Sequence, residues 1–180
     1  QLEPVRVDRL SRLFGILFHI GAFIGIVFSL HSRDRTQHVA ALAYAGSALG
    51  AVFAGDLLTL FVFWELLAVS SVFLIFASRT ERSFGAGMRY LVIQVISGVL
   101  LLAGALILYG QSGSLRFEHI GLTGAGSMLI FIAFGIKCAF PLLHNWLTDA
   151  YPEATPTGTV FFQAKKSKFT GSFRQLLRPN

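Results

Sequence analysis

The chain has 180 residues, of which 54% are hydrophobic and only 13% are charged, and its mean hydropathy is +0.65. A soluble domain would need more polar surface, so the composition excludes an ordinary globular protein and indicates a polytopic membrane protein. The net charge of +6 comes from loops and from the C-terminal tail. This pattern is typical of membrane topology rather than of nucleic-acid binding. The single cysteine, Cys138, excludes an intrachain disulfide.

Five apolar segments predict an all-α bundle of transmembrane helices. The predicted spans lie at about residues 13–30, 39–54, 57–77, 90–110 and 124–148. The second span is rich in Ala and Gly, and Gly46, Gly50 and Ala54 predict the face on which it packs closely. Lys and Arg are slightly more frequent in the loops at 31–38 and 78–89 than on the other side, which predicts that these loops are cytoplasmic.

The third span contains Glu65, the only acidic residue inside an apolar run. It is the ninth residue of the span, which places it ~13 Å deep and close to the bilayer centre. A carboxylate at this depth is costly unless it is paired or hydrated. Glu65 is therefore predicted to have a functional role, and the alternative is a protonated glutamate that holds two helices together. In the fourth span, Gln94 is an accessory candidate for the site. Its amide is predicted to form an interhelical hydrogen bond rather than to transfer protons.

The fifth segment is predicted to be a discontinuous helix that carries an ion site. Lys137 is the only basic residue inside an apolar run, and Pro141 follows four residues later. Proline has no N–H, so the helical bond to the carbonyl of residue 137 cannot form, and an interruption is expected near 138–141. A lysine beside a helix break at mid-membrane is a common design of transporter ion sites. His144 lies on nearly the same face and could relay protons, or it could reach towards the membrane interface beside Trp146.

Glu65 and Lys137 have opposite charges at similar depth, which predicts a coupled pair that changes protonation. Motifs of intramembrane enzymes are not found in the sequence, nor are paired membrane aspartates. The sequence contains neither a cysteine cluster nor a Gly-rich nucleotide loop. It therefore gives no indication of a cofactor, a metal or redox chemistry in this chain. Whether the chain takes part in an enzyme therefore stays open at this point.

The C-terminal segment 163–180 is basic and contains no acidic residue. Its apolar residues fall at helical spacing, which predicts an amphipathic segment on an anionic inner leaflet. A non-native segment is the alternative interpretation.

Three stretches resemble the antiporter-like membrane subunits of respiratory complex I and of Mrp-type cation/proton antiporters. They are GDLLTLFVFWELLAVSSVFLI at 55–75, GMRYLVIQ at 87–94 and GIKCAFPLLHNWLTDAYPEATPTGTVF at 135–161. The pattern combines a Trp-Glu pair in one span with a Lys, Pro and His-x-Trp-Leu series in another, followed by a Pro-Glu-Ala-Thr-Pro turn. The resemblance covers roughly residues 4–162 and is strongest to the Mrp-type D subunit.

The resemblance implies a fold built from inverted repeats. This chain would contain part of one repeat. Glu65 matches the buried glutamate of the family's fifth helix, Lys137 matches the lysine of its broken seventh helix, and Lys168 falls near the lysine of its eighth. The resemblance thus implies that 163–180 is a truncated eighth helix, with Lys168 as an accessory site candidate. The implied function is proton translocation through a Glu/Lys pathway, as in Mrp-type antiporters. A complex I subunit is the first alternative, and a membrane scaffold without transport is the second.

The same resemblance implies a multi-pass protein of the bacterial inner membrane. Its expected partners are other membrane subunits, protons, the lipid bilayer and either Na⁺ or K⁺, with no role for nucleic acid.

Overall fold

The computed structural model describes residues 2–117, 122, 124–141, 145–150 and 152–154. The described residues form six α-helices and no strand, which confirms the predicted all-α class. The helices are α1 (Arg9–Ser29), α2 (Arg35–Phe53), α3 (Leu57–Phe76), α4 (Glu81–Ser112), α5 (Ala125–Lys137) and α6 (Asn145–Ala150). The predicted fifth span thus appears as two pieces, α5 and α6, with the break between them.

The described helices are those of a multi-pass membrane protein. By length and composition α1, α3 and α4 could each cross a bilayer, while α5 is apolar but only 13 residues long. Residues on their outer faces are largely apolar and exposed, as lipid-facing positions are. The full count of five spans stays a prediction.

Helix α4 begins at residue 81, nine residues before the predicted start of the fourth span at 90. The cause is a reciprocal cap that the hydropathy pattern does not reveal. The Thr80 hydroxyl accepts a hydrogen bond from the Ser83 N–H at 2.9 Å, and the Ser83 hydroxyl accepts one from the Thr80 N–H at 3.1 Å. The 32-residue helix is therefore ~48 Å long, so its charged first turns extend beyond a hydrocarbon core of ~30 Å.

Helix α4 is central, because it packs against α3, α5 and α6, while α2 packs between α1 and α3. Its closest approach to α5 is at Gly104, where an added Cβ would lie 2.7 Å from the Gly126 carbonyl oxygen. On α2, a Cβ at Gly50 would overlap the Phe63 ring, in agreement with the predicted packing face. A Cβ added at Gly46 would meet no neighbouring helix within 4 Å, so the predicted face does not extend that far along the helix.

At one end of the bundle, short backbone contacts join the N-terminal segment to the α2–α3 and α4–α5 connections. The buried Asp56 carboxylate accepts hydrogen bonds from the Thr59 N–H at 2.7 Å and from the Glu3 N–H at 2.9 Å. This is the helix-capping geometry expected from the Gly-Asp turn. The Leu57 N–H donates to the Leu115 carbonyl at 2.9 Å. The start of α3 is therefore held by its own first turn, by the N-terminal segment and by the α4–α5 connection. These contacts fix how deep the following residues of α3 lie in the bundle.

Candidate functional site

The Glu65 side chain projects from α3 towards α4. Its Oε1 atom is buried and has no hydrogen-bond partner within the described part of the chain. A Cβ added at Gly98 of α4 would overlap this oxygen and lie 2.7 Å from the Glu65 Cδ. The carboxyl group therefore occupies the space that a side chain at position 98 would fill.

Lys137 is the last residue of α5 and reaches α3 at the level of Glu65. Its Nζ donates a hydrogen bond to the Trp64 carbonyl at 3.3 Å. The same Nζ lies 4.9 Å from the centroid of the Trp64 ring, a cation–π distance. The ammonium group is also close enough to act electrostatically on the carboxyl of Glu65, the next residue of α3. The structure therefore brings together the two charged residues that the sequence singled out.

The helix break begins directly after Lys137, four residues before Pro141. Ala139 has a φ of 55°, in the left-handed region, which turns the chain out of the helix. The indole N–H of Trp146 on α6 donates to the Ile136 carbonyl at 3.1 Å. The Ile136 carbonyl also accepts from the Ala139 N–H at 3.1 Å, so Trp146 adds a second hydrogen bond at the interrupted end of α5 and connects α6 to it. Sequence reasoning placed this tryptophan only at the membrane interface and missed its role at the break.

A buried hydroxyl links the three helices around the two charges. The Trp64 indole N–H donates to the Ser97 Oγ at 3.2 Å. The Ser97 hydroxyl in turn donates to the Ala133 carbonyl of α5 at 3.1 Å. Ser97 is fully buried, and the sequence analysis did not select it because an isolated serine in a glycine-rich span gives no distinctive signal.

Gln94 is fully buried on α4, one helical turn from Gly98 on the same face. Neither its amide nitrogen nor its amide oxygen has a hydrogen-bond partner among the described residues. The described part of the chain therefore does not supply the protein partner that interhelical hydrogen bonding would need. Buried polar atoms without partners are costly. The Gln94 amide and the Glu65 oxygen, which lies against Gly98, are both unsatisfied among the described residues, and positions 94 and 98 of α4 are one turn apart.

The remaining candidates are placed as follows. His144 and Lys168 lie outside the described residues. Pro141 is exposed just beyond the break. Among the described residues, no group of three or more His, Cys, Asp or Glu side chains is arranged to hold a metal ion.

Beyond the break, α6 is attached to the outer part of α4 by an ion pair. The Arg89 guanidinium donates two hydrogen bonds to the Asp149 carboxylate, at 2.6 and 2.9 Å. These hydrogen bonds hold the pKa of the Asp149 carboxyl below its ordinary value. The Tyr90 and Trp146 rings pack edge to face beside them, with centroids 5.3 Å apart. The segment after the break is thereby held against the same helix that contacts Glu65.

Residues 54–173 match the profile of the family described as NADH:quinone oxidoreductase/Mrp antiporter, TM. Among curated proteins, the chain is 27% identical to NADH-quinone oxidoreductase subunit N of Deinococcus radiodurans, over 94% of this chain and 39% of the relative. It is 31% identical to subunit N 2 of Roseiflexus castenholzii, over 97% of this chain and 39% of the relative. The subunit N of Rhizorhabdus wittichii is 33% identical, over 91% of this chain and 37% of the relative. The chain thus spans about two fifths of the length of these relatives.

Among solved structures, the chain is similar to a chain of the membrane-bound sulfane sulfur reductase (MBS), an archaeal respiratory membrane complex. The TM-score is 0.79 at 25% identity, and the match covers 88% of this chain and 35% of the other. The relatives named here are subunits of respiratory membrane complexes. Their names favour the complex I alternative over the Mrp-type D subunit that the sequence most resembled.

Proposed function

Because the chain belongs to the NADH:quinone oxidoreductase/Mrp antiporter transmembrane family, we propose that it is part of a proton-translocating subunit of an NADH:quinone oxidoreductase. The partners in this proposal are the other membrane subunits of that complex, and redox chemistry in those subunits supplies the driving force. The names of the curated relatives support this assignment over a sodium/proton or potassium/proton antiporter. The observation that carries the proposal is the convergence of Glu65 and Lys137 between α3, α4 and α5.

The chemistry follows from two ionisable groups that lie close together between the helices. At separations of ~4–8 Å and an effective dielectric constant of ~20, opposite unit charges attract by ~2–4 kcal/mol. A change in the charge of either group therefore alters the proton affinity of the other. Transfer of a proton to Glu65 weakens its hold on Lys137, and the ammonium group is then able to lose its own proton. His144 and Lys168 are proposed as further carriers along the same path.

Water is the natural link between this pair and the rest of the path. The unsatisfied groups of Gln94 and Glu65 include a donor and acceptors. Water is both a donor and an acceptor, so it can satisfy all of them, whereas a metal cation would leave the amide N–H₂ of Gln94 unpaired. In this proposal, Gln94 holds water that carries protons to the Glu65 carboxyl.

The test is proton uptake by vesicles that contain the complete reconstituted complex. Glu65→Gln is expected to abolish pumping while the complex still assembles, because the amide cannot accept a proton. Glu65→Asp is expected to retain part of the activity. The matched control is Glu81→Gln, which makes the same chemical change on the exposed first turn of α4 and is expected to pump normally.

The second alternative, a membrane scaffold, makes the opposite prediction for the same vesicles. If the two charges serve only helix pairing, Glu65→Gln combined with Lys137→Met removes both and should be tolerated. Normal pumping by Glu65→Gln at normal subunit content would support the scaffold and reject proton transfer through this site.

A further inference from the structure

We propose that two adjacent residues of α4, Ser97 and Gly98, are positioning residues that fix where the Glu65 carboxyl and the Lys137 ammonium lie. Their contribution to transport rests on the proposed function. Their effect on the two side chains does not, and it can be measured separately.

Ser97 acts on the lysine through the tryptophan that the lysine contacts. Its hydroxyl accepts from the Trp64 indole and donates to the Ala133 carbonyl, so both functions of the hydroxyl are used. Ala133 is one turn before Lys137 on the same face of α5. Trp64 supplies both the carbonyl and the ring that the ammonium group meets. One buried hydroxyl therefore fixes the indole under Lys137 and the turn of α5 that carries Lys137.

Gly98 has no side chain, and the Glu65 carboxyl group occupies the space that a side chain there would fill. A Cβ at this position would overlap the Glu65 Oε1, which is the far end of a flexible side chain. The carboxyl group can rotate away, so Gly98→Ala is expected to move the carboxyl and leave the helices in place. Gly104, on the same helix, differs because the atom facing it is a backbone oxygen that cannot rotate away. The two glycines therefore have separable roles, one in placing a charge and one in spacing the helices.

The experiment measures the rate at which a hydrophobic carbodiimide modifies Glu65 in the assembled full-length complex. The reagent reacts with the protonated carboxyl, so the rate as a function of pH reports the protonation of this one residue when the modified peptide is quantified by mass spectrometry. In Gly98→Ala and Ser97→Ala the midpoint of the pH profile is expected to move by about half a pH unit or more, because the surroundings of the carboxyl change. In Gly110→Ala, whose added methyl has no neighbour within 4 Å, it is expected to stay at the wild-type value.

Rescue separates positioning from general packing. Ser97→Thr keeps the hydroxyl and is expected to give a midpoint nearer to wild type than Ser97→Ala does. If Gly98→Ala fails to assemble, Ser97→Ala still carries the test because it removes an atom and creates no overlap. Wild-type midpoints in the assembled variants, or an equal shift in Gly110→Ala, would overturn the proposal. Normal pumping by Glu65→Gln together with shifted midpoints would reject the proposed function and leave the positioning role intact.

Discussion

At the scale of single residues, the identity of the cation at position 137 decides what the site can do. The ammonium group of Lys137 lies at the C-terminal end of α5 and against the face of Trp64, and both favour a positive charge. A lysine in such a place can still release its proton when its surroundings change, whereas an arginine remains charged. A lysine at position 137 therefore allows the site to transfer protons, whereas an arginine there could only hold the helices together.

Lys137→Arg is accordingly expected to reduce proton pumping by more than about tenfold, although the charge is retained. The measurement is proton uptake by vesicles that contain the full complex, with subunit content determined on the same sample. Arg82→Lys, at an exposed position near the start of α4, exchanges the same two residue types and is expected to pump normally. Unimpaired pumping by Lys137→Arg would mean that deprotonation at this position is not part of the cycle.

At the scale of helices, the crossing of α4 and α5 depends on two glycines that face each other. The Cβ positions of Gly104 and Gly126 lie 2.7 and 3.0 Å from the backbone carbonyl of the opposite residue. Gly104→Ala is expected to push the helices apart and destabilise the complex by ~1–3 kcal/mol. Gly110→Ala, on the same helix in open space, should be neutral or stabilising, because alanine favours the helix by ~0.5–1 kcal/mol.

The change is measured as the shift in the denaturation midpoint of the detergent-purified complex. Equal midpoints for Gly104→Ala and Gly110→Ala would show that the helices do not meet at this crossing.

Attachment of α6 to α4 gives a pH-dependent expectation at the same scale. Hydrogen bonds from Arg89 lower the pKa of Asp149, so the stabilisation is present above the ordinary pKa range of aspartate and is lost as the pH falls through the lowered value. The side chains are 62% and 42% exposed, so screening by solvent keeps the stabilisation from this pair small. Asp149→Asn is expected to lower the amide protection of α6 by no more than about fivefold at neutral pH.

Hydrogen-exchange mass spectrometry of α6 peptides measures this protection, with Glu81→Gln as a control that leaves the pair intact. Wild-type protection should approach that of Asp149→Asn at low pH. A constant ratio between the two proteins across the acidic range would contradict a role for the ionised carboxylate.

At the scale of the whole molecule, tertiary contacts gather the predicted cytoplasmic segments at one end. Arg79 donates to Asp34 at 3.2 Å, and the Ser78 hydroxyl donates to the Glu153 carbonyl. The arginine-rich ends of α2 and α4 and the segment after the helix break therefore share one side of the bundle. Lys and Arg near short loops favour the cytoplasmic side, so this end is predicted to face the cytoplasm.

Cysteine labelling in cells tests that orientation. Arg82→Cys is introduced in a Cys138→Ser background, because Cys138 is an exposed free thiol. A membrane-impermeant reagent is expected to modify position 82 only after the membrane is opened. Modification from outside intact cells would reverse the orientation.

The sequence by itself determined the membrane class, the all-α fold, the family and the two charged residues on which the proposed site depends. The class, the fold and the two charged residues follow from local properties, namely the length of apolar runs, the cost of a charge inside them and the missing N–H of Pro141. The family follows instead from the resemblance of three stretches of the sequence. The functional roles of Glu65 and Lys137 stay predictions, but their selection needed no knowledge of the fold.

Only the tertiary structure decided which residues surround these charges. Ser97 and Gly98 are unremarkable in the sequence, and each gains its role from a residue of α3 that is 33 residues away along the chain. Trp146 belongs to the His-x-Trp-Leu series, but only the structure shows its hydrogen bond to a carbonyl in the last turn of α5. Likewise Gly46 and Gly104 both follow an alanine in an apolar run of the sequence. In the structure a Cβ added at Gly104 would meet the backbone of a neighbouring helix, and one added at Gly46 would not. The physical reason is that the rotation and crossing point of packed helices are set by all their contacts together, and a hydropathy pattern along one chain does not contain them.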